Sequence, residues 1–192
     1  MYKAVLTLLV GLVLSFSDAS PVRSQETIDV GVMFGYSGPI ETLTGDMANA
    51  AELALAEASS SGWFLGGKKI SPVRIDSTCV DISSANQNLS YALSKHKLAG
   101  IVGGDCSGVT GAIVQKFGRS SDLVFVSPSA TSPALSSFDD DGRFFRTAAS
   151  DARIGLVLSK MVIIRELQSI AITYVDNDYG KGLKDSIVKN FT

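Results

Sequence analysis

Short β-rich apolar runs alternate with helically spaced apolar stripes along nearly the whole chain. That alternation restricts it to an α/β fold built on a parallel sheet. Residues 28–34 (IDVGVMF) read as a strand with apolar residues on both faces, as a buried parallel strand requires. A glycine-rich turn follows, Gly35-Tyr36-Ser37-Gly38-Pro39. Met47, Ala50, Ala51, Ala54 and Ala58 then recur at helical spacing until Gly62, Gly66 and Gly67 break it. The same reading gives further strands over 70–77, 99–103, 123–126, 144–145 and 169–175. Pro72 weakens the start of the first of these. It gives further helices over 83–97, 108–118, 151–167 and 182–191. The expected architecture is a doubly wound parallel sheet.

The alternation has a seam at Asp139-Asp140-Asp141-Gly142. About four strand–helix units precede it. One helix, one strand and one helix follow, and a single strand with two helices cannot bury its own faces. The expected organisation is one nearly complete lobe over 26–147 and the start of a second over 148–192. At the amino end, Lys3 precedes a run of apolar or nearly apolar residues, 4–16, followed by the small residues Ser17, Ala19 and Ser20. This is the order of a secretory signal peptide, with cleavage expected after Ala19 and an unstructured stretch to residue 25. A spanning helix would need about 20 apolar residues. The mature chain is therefore expected in the periplasm, where a disulfide persists.

Seventeen Lys and Arg against nineteen Asp and Glu leave a net charge of −2, without the basic surplus of a nucleic-acid binder. Two cysteines and one histidine exclude a Cys/His zinc cluster. His96, between Lys95 and Lys97, reads as a surface residue. Residues 62–69 imitate a phosphate-binding loop, but Lys69 stands where a hydroxyl is required, and the segment runs from helix to strand rather than the reverse. Asp176-Asn177-Asp178-Tyr179-Gly180 imitates a calcium loop whose twelfth position, a required glutamate, is Ile187. Gly104-Asp105-Cys106-Ser107-Gly108 lacks the spacing of a nucleophile elbow. These segments give no reason to expect a catalytic residue, a metal or a cofactor.

Two strand-to-helix loops are rich in hydroxyls: residues 103–110 (GGDCSGVT) and 127–133 (SPSATSP). In an open parallel sheet both lie at the carboxyl ends of strands, where ligands bind. Ser107 stands where it would cap the following helix, beside free backbone N–H groups suited to an anion. Capping alone would also account for these hydroxyls.

Six segments occur in a familiar order: SGPIETLTGDMANAAELALAE, VRIDSTCVD, IVGGDCSGVTGAI, VSPSATSPAL, FFRTAASDARIG and AITYVDNDYGKGL. Through them the chain resembles the solute-binding proteins of ABC importers in the branched-chain amino-acid (leucine/isoleucine/valine-binding) group, of the type I periplasmic binding fold. The resemblance runs from about Ile28 to Phe191. It implies two lobes that close on a small-molecule ligand, an amino acid or amide-like solute, and a monomer that delivers it to ABC permease subunits at the inner membrane. It implies that Ser107 binds a ligand carboxylate. The Ser129 carbonyl and the Thr131 hydroxyl, with Ala130 between them, would take the ammonium, and Tyr179 would close over the ligand from the second lobe. It pairs Cys79 with Cys106. The family often places an aromatic residue over the ligand just after the Ser-Gly-Pro turn; here that stretch reads Glu41-Thr42-Leu43-Thr44-Gly45, so the side-chain pocket is expected to differ. The family's second lobe needs several more strands, so the sequence reads as the N-terminal half of such a protein. Two rivals remain at this stage: a receptor's ligand-sensing module with the same fold, and an exported hydrolase using Ser107 or a free cysteine.

Overall fold

The computed structural model describes residues 26–191, so the expected signal segment lies outside it. Strand β1 (Thr27–Phe34) leads to helix α1 (Glu41–Ser60), β2 (Lys69–Asp76), α2 (Ile82–Lys95), β3 (Leu98–Gly103), α3 (Ser107–Ile113), β4 (Phe125–Ser127), β5 (Phe144–Arg146), α4 (Asp151–Ile164) and α5 (Asp178–Phe191). The five strands form one sheet in the order β2-β1-β3-β4-β5, and every neighbouring pair is parallel. The doubly wound expectation holds. The chain goes from β1 to β2 on one side and returns to β3 on the other. The crevice between the carboxyl ends of β1 and β3 is thus a topological switch point.

Alternation along β1 builds two cores. Val32 and Phe34 face α1 and pack with Ala48, Met47, Ala51 and Leu55. Met33 faces the other way, with Ile75, Ile101 and Phe125, and is covered by Ala85, Leu89 and Ala92 of α2 and Val109 and Ile113 of α3. The cores are unequal in cover. Val126 of β4 and Phe145 of β5 stay exposed, because among the described residues no helix lies over that part of the sheet.

Several expected elements shift. Pro72 does not shorten β2, which runs through it opposite Val30. β2 is an edge strand, where a missing N–H is tolerated. The helix expected over 108–118 is α-helical only to Ile113 and then takes one π turn, Val114–Gly118. The helix expected over 151–167 stops at Ile164, and the one expected from Gly182 already starts at Asp178.

The strand expected over 169–175 is a correction: that segment has no strand structure. Its composition suits a strand, but among the described residues no neighbouring strand accepts its ladder hydrogen bonds, and propensity alone does not make a strand. α5 instead packs directly on α4. The contact is close because it is made of small residues: a Cβ on Gly155 would lie 2.2 Å from the Ser186 hydroxyl oxygen. The Ser159 hydroxyl donates to the Ile187 carbonyl at 2.8 Å, and the Ser186 hydroxyl donates to the Ala152 carbonyl at 3.2 Å.

Candidate ligand-binding site

The carboxyl ends of β1, β2 and β3 are gathered by one buried carboxylate. Asp105 takes hydrogen bonds from the Gly35 amide at 2.6 Å, the Ser77 hydroxyl at 2.8 Å and the Cys106 amide at 2.9 Å. Just before it, β3 ends at Gly103 with φ of +132°. A Cβ there would meet the Met33 carbonyl oxygen at 2.1 Å, so only glycine fits. The disulfide Cys79–Cys106 is formed as the resemblance implied. It ties the loop after β2 to the residue at the N-cap position of α3. Both cysteines are thereby engaged, which removes the cysteine form of the hydrolase reading.

Ser107 does not cap α3. Cys106 takes the N-cap position, and Ser107 is the first helical residue. The buried Ser107 hydroxyl instead accepts a hydrogen bond from the Ser132 amide at 3.1 Å, joining the two hydroxyl-rich loops. The first backbone bond of the helix runs from Thr110 to the Cys106 carbonyl, so the amides of Ser107, Gly108 and Val109 precede it. The carboxylate of Asp178, at the start of α5, lies against this turn, 3.1 Å from where a Cβ on Gly108 would be. A carboxylate is the group a helix start favours.

The second loop is shaped from beneath by Arg146 of β5. Its guanidinium donates to the Ala130 and Ser132 carbonyls, at 3.1 and 2.9 Å, and to the Ser136 hydroxyl. Burial holds Arg146 below its ordinary pKa, opposed by the charge of Asp151. The Thr131 hydroxyl donates to Asp151 at 2.8 Å, and the Asp151 amide donates to the Thr131 carbonyl at 2.9 Å. Ser129 donates to the Asp105 carbonyl at 3.1 Å. The polypeptide between β5 and α4 is thus bound to the β4 loop.

A cleft of about 440 Å³ opens between α3, the turn after β4 and α5. Ser107, Gly108, Ser132 and Leu135 line it from one side, Asp178 and Lys181 from the other. Of the five expected ligand residues, Ser107 is in this wall. Ser129, Ala130 and Thr131 lie beside it, with Ala130 buried, Ser129 exposed and Thr131 half-buried. Tyr179 is 43% exposed next to the cleft-lining Asp178. The single imidazole is elsewhere: His96 pairs with Asp29 near the start of β1, at the opposite end of the sheet from Ser107. Asp105, Arg146 and Asp151 are the site residues that the sequence reading missed. Their segments were among the six quoted, but nothing in the spacing marked these side chains.

Residues 46–192 match the family described as the receptor family ligand binding region. No curated protein matches the sequence. Solved structures do. A branched-chain amino acid transporter substrate-binding protein from Streptococcus pneumoniae, in complex with isoleucine, is 26% identical with a TM-score of 0.72; the alignment covers 87% of this chain and 47% of that one. An ABC transporter substrate-binding protein from Desulfitobacterium hafniense, in complex with Leu, is 25% identical with a TM-score of 0.67, covering 86% and 47%. A solute-binding protein from R. palustris in complex with benzoate is 23% identical with a TM-score of 0.72, covering 86% and 44%, a likeness of fold. The chain thus spans slightly under half the length of these structures. By its match over residues 46–192 and its fold, the chain belongs to the receptor family ligand binding region family, a type I periplasmic binding fold.

Proposed function

We propose that the chain supplies the first lobe, residues 26–147, and the beginning of the second lobe, 148–192, of an exported solute-binding protein. That protein would capture an amino acid or related small polar solute between its lobes and deliver it to an ABC permease. One observation carries this reading. The first turn of α3 and the β4 loop meet at the carboxyl ends of β3 and β4, next to the switch point of the sheet, joined by the Ser107–Ser132 bond, and the start of α5 is placed against them. That arrangement offers amides and hydroxyls to a charged small molecule, and the single imidazole, His96, is at the opposite end of the sheet. The solutes held by the S. pneumoniae and D. hafniense proteins support the amino-acid class. In this reading Ser107 and the α3 amides take the carboxylate, the Ser129 carbonyl and Thr131 take the ammonium, Ala130 shapes the loop between them, and Tyr179 covers the ligand. Closure is then a population shift driven by contacts made only between closed lobes.

The family description favours a second reading, the ligand-sensing region of a receptor. It shares the site and differs only in what the closed lobes drive.

Calorimetry with a panel of amino acids, small amides and aromatic acids tests the site. Thr131→Ala removes a hydrogen bond to a charged group and is expected to weaken amino-acid binding by about 10- to 100-fold. Ser107→Ala is expected to weaken it as well. Unchanged affinity in both variants contradicts the assignment.

A further inference from the structure

The geometry points to the turn between α1 and β2 as a membrane-contact tip: Trp63 and Leu65 enter the interface of a phospholipid bilayer, with Lys68 and Lys69 behind them at the headgroups. This surface is separate from the solute site and does not depend on which solute that site takes.

Trp63 is 91% exposed, more than any other large apolar side chain among the described residues, and Leu65 beside it is 62% exposed. The turn that carries them is held in shape. The Trp63 amide donates to the Ser61 hydroxyl at 3.1 Å, and the Gly67 and Lys68 amides donate to the Phe64 carbonyl at 2.8 and 3.0 Å. It also stands clear of the lobe, since a Cβ on Gly62 or Gly66 would meet nothing within 4 Å. Leu65 keeps a φ of +42°, which a residue with a Cβ rarely adopts, and does so without burying its side chain. Packing therefore does not account for two large apolar groups fixed at a convex tip.

Two observations identify what they meet. The first is where the amino-terminal segment joins. Lys68 pairs with Glu26 at 2.9 Å, and the Lys69 amide donates to the Glu26 carbonyl at 3.2 Å, so the tip lies beside the residue that segment 1–25 leads into. That segment holds the apolar run 4–16 behind Lys3, and residues 17–25 reach at most about 30 Å. While the run sits in a bilayer, this end of the lobe is kept at its surface. The second is size. A stable interface with another protein buries about 800 Å² per partner, and two side chains on a convex turn offer a fraction of that. A lipid interface conforms to such a tip instead. Tryptophan suits it, with an apolar ring and an N–H left at the wet side. The two lysines reach phosphates from the base of the turn. Lys69 starts β2, whereas Ser107 follows the far end of β3, so a membrane at this end leaves the cleft facing away.

The test is fluorescence of the full 192-residue chain with vesicles of phosphatidylcholine and phosphatidylglycerol. Trp63 is the single tryptophan, so its emission reports the tip alone. On addition of vesicles the emission is expected to move to shorter wavelength, to be quenched by brominated acyl chains and to be shielded from iodide in the water. Leu65→Ser is expected to lower the ratio of inserted to free tip about tenfold. A Trp63→Phe, Val80→Trp chain carries the reporter at the other end of the lobe, at a position 63% exposed, and is expected to escape the brominated lipid. A chain that sediments with the vesicles while Trp63 stays open to iodide overturns the inference, because the apolar segment then binds without the tip. Equal quenching in the Val80→Trp chain, or unchanged insertion in Leu65→Ser, overturns it as well. So does a shift to shorter wavelength that grows with chain concentration in the absence of vesicles, which would mean that a second copy covers the tip. A chain that ignores the vesicles altogether also overturns it.

Discussion

Asp105 draws the Gly35 amide, the Ser77 hydroxyl and the Cys106 amide onto one buried carboxylate. Asp105→Ala would leave these donors without their acceptor in a water-poor crevice. We expect a loss of stability on the order of 3 kcal/mol, read by urea denaturation. A second residue prediction concerns Tyr36, whose phenol donates to the Val32 carbonyl and is pushed up to about 12, chiefly by burial and against the pull of Arg74. The native state therefore holds this proton more tightly than the unfolded chain does. The resulting stabilisation is fully present below pH 10 and is lost as pH rises from 10 through 12. Tyr36→Phe should flatten that part of the stability–pH curve, and an unchanged alkaline limb would refute the assignment. Ser107 was legible in the sequence because strand–helix alternation alone puts its loop at a strand's carboxyl end. Asp105, Arg146 and Asp151 were not. Their partners lie 70, 16 and 20 residues away and become neighbours only through the strand order, which periodicity does not encode.

Among the elements, α3 owes its position to the disulfide as much as to packing. The Cys79–Cys106 bridge spans 27 residues. Chain entropy for a loop of that size gives about 3.5 kcal/mol, with which replacing both cysteines by serine should lower the melting temperature. Since Cys106 occupies the N-cap position, amide exchange in the first turn of α3 should quicken in the same variant. At the α4–α5 contact, Gly155→Ala forces its new methyl onto Ser186 and should destabilise the pair by about 1–3 kcal/mol, with slower-exchanging amides of α5 lost first. The absent strand at 169–175 shows where sequence patterning stops. A helix satisfies its own backbone and could be read from its stripe. A strand needs a second strand, and no local pattern reports whether that partner is there.

For the whole molecule, the polar run at Asp139–Gly142 suggested a seam between lobes, but the polypeptide that follows it is well held. β5 pairs with β4, Arg146 grips the β4 loop, and Asp151 is locked to Thr131. The exposed stretch lies further on, between the end of α4 and the start of α5, where Leu167, Tyr174 and Val175 are each about half exposed or more. Limited proteolysis should therefore cut first after Arg165, Leu167 or Tyr174, leaving β1 to α4 intact. First cleavage at Arg143 or Arg146 would contradict this. Ile154, Val157 and Met161 of α4 are also each a little under half exposed. The matching stripe of α5, Leu183, Ile187 and Phe191, is half-buried instead, because α5 folds back on α4.

The central claim is that the α3 first turn and the β4 loop form one solute site. It is tested most directly by following backbone amide resonances of the full chain while L-leucine is added. The account predicts saturable shifts concentrated at Ser107, Gly108, Ser129, Ala130 and Thr131, absent in the Ser107→Ala, Thr131→Ala double variant. Saturable shifts elsewhere on the sheet, or no response at these five residues at millimolar solute, would contradict it.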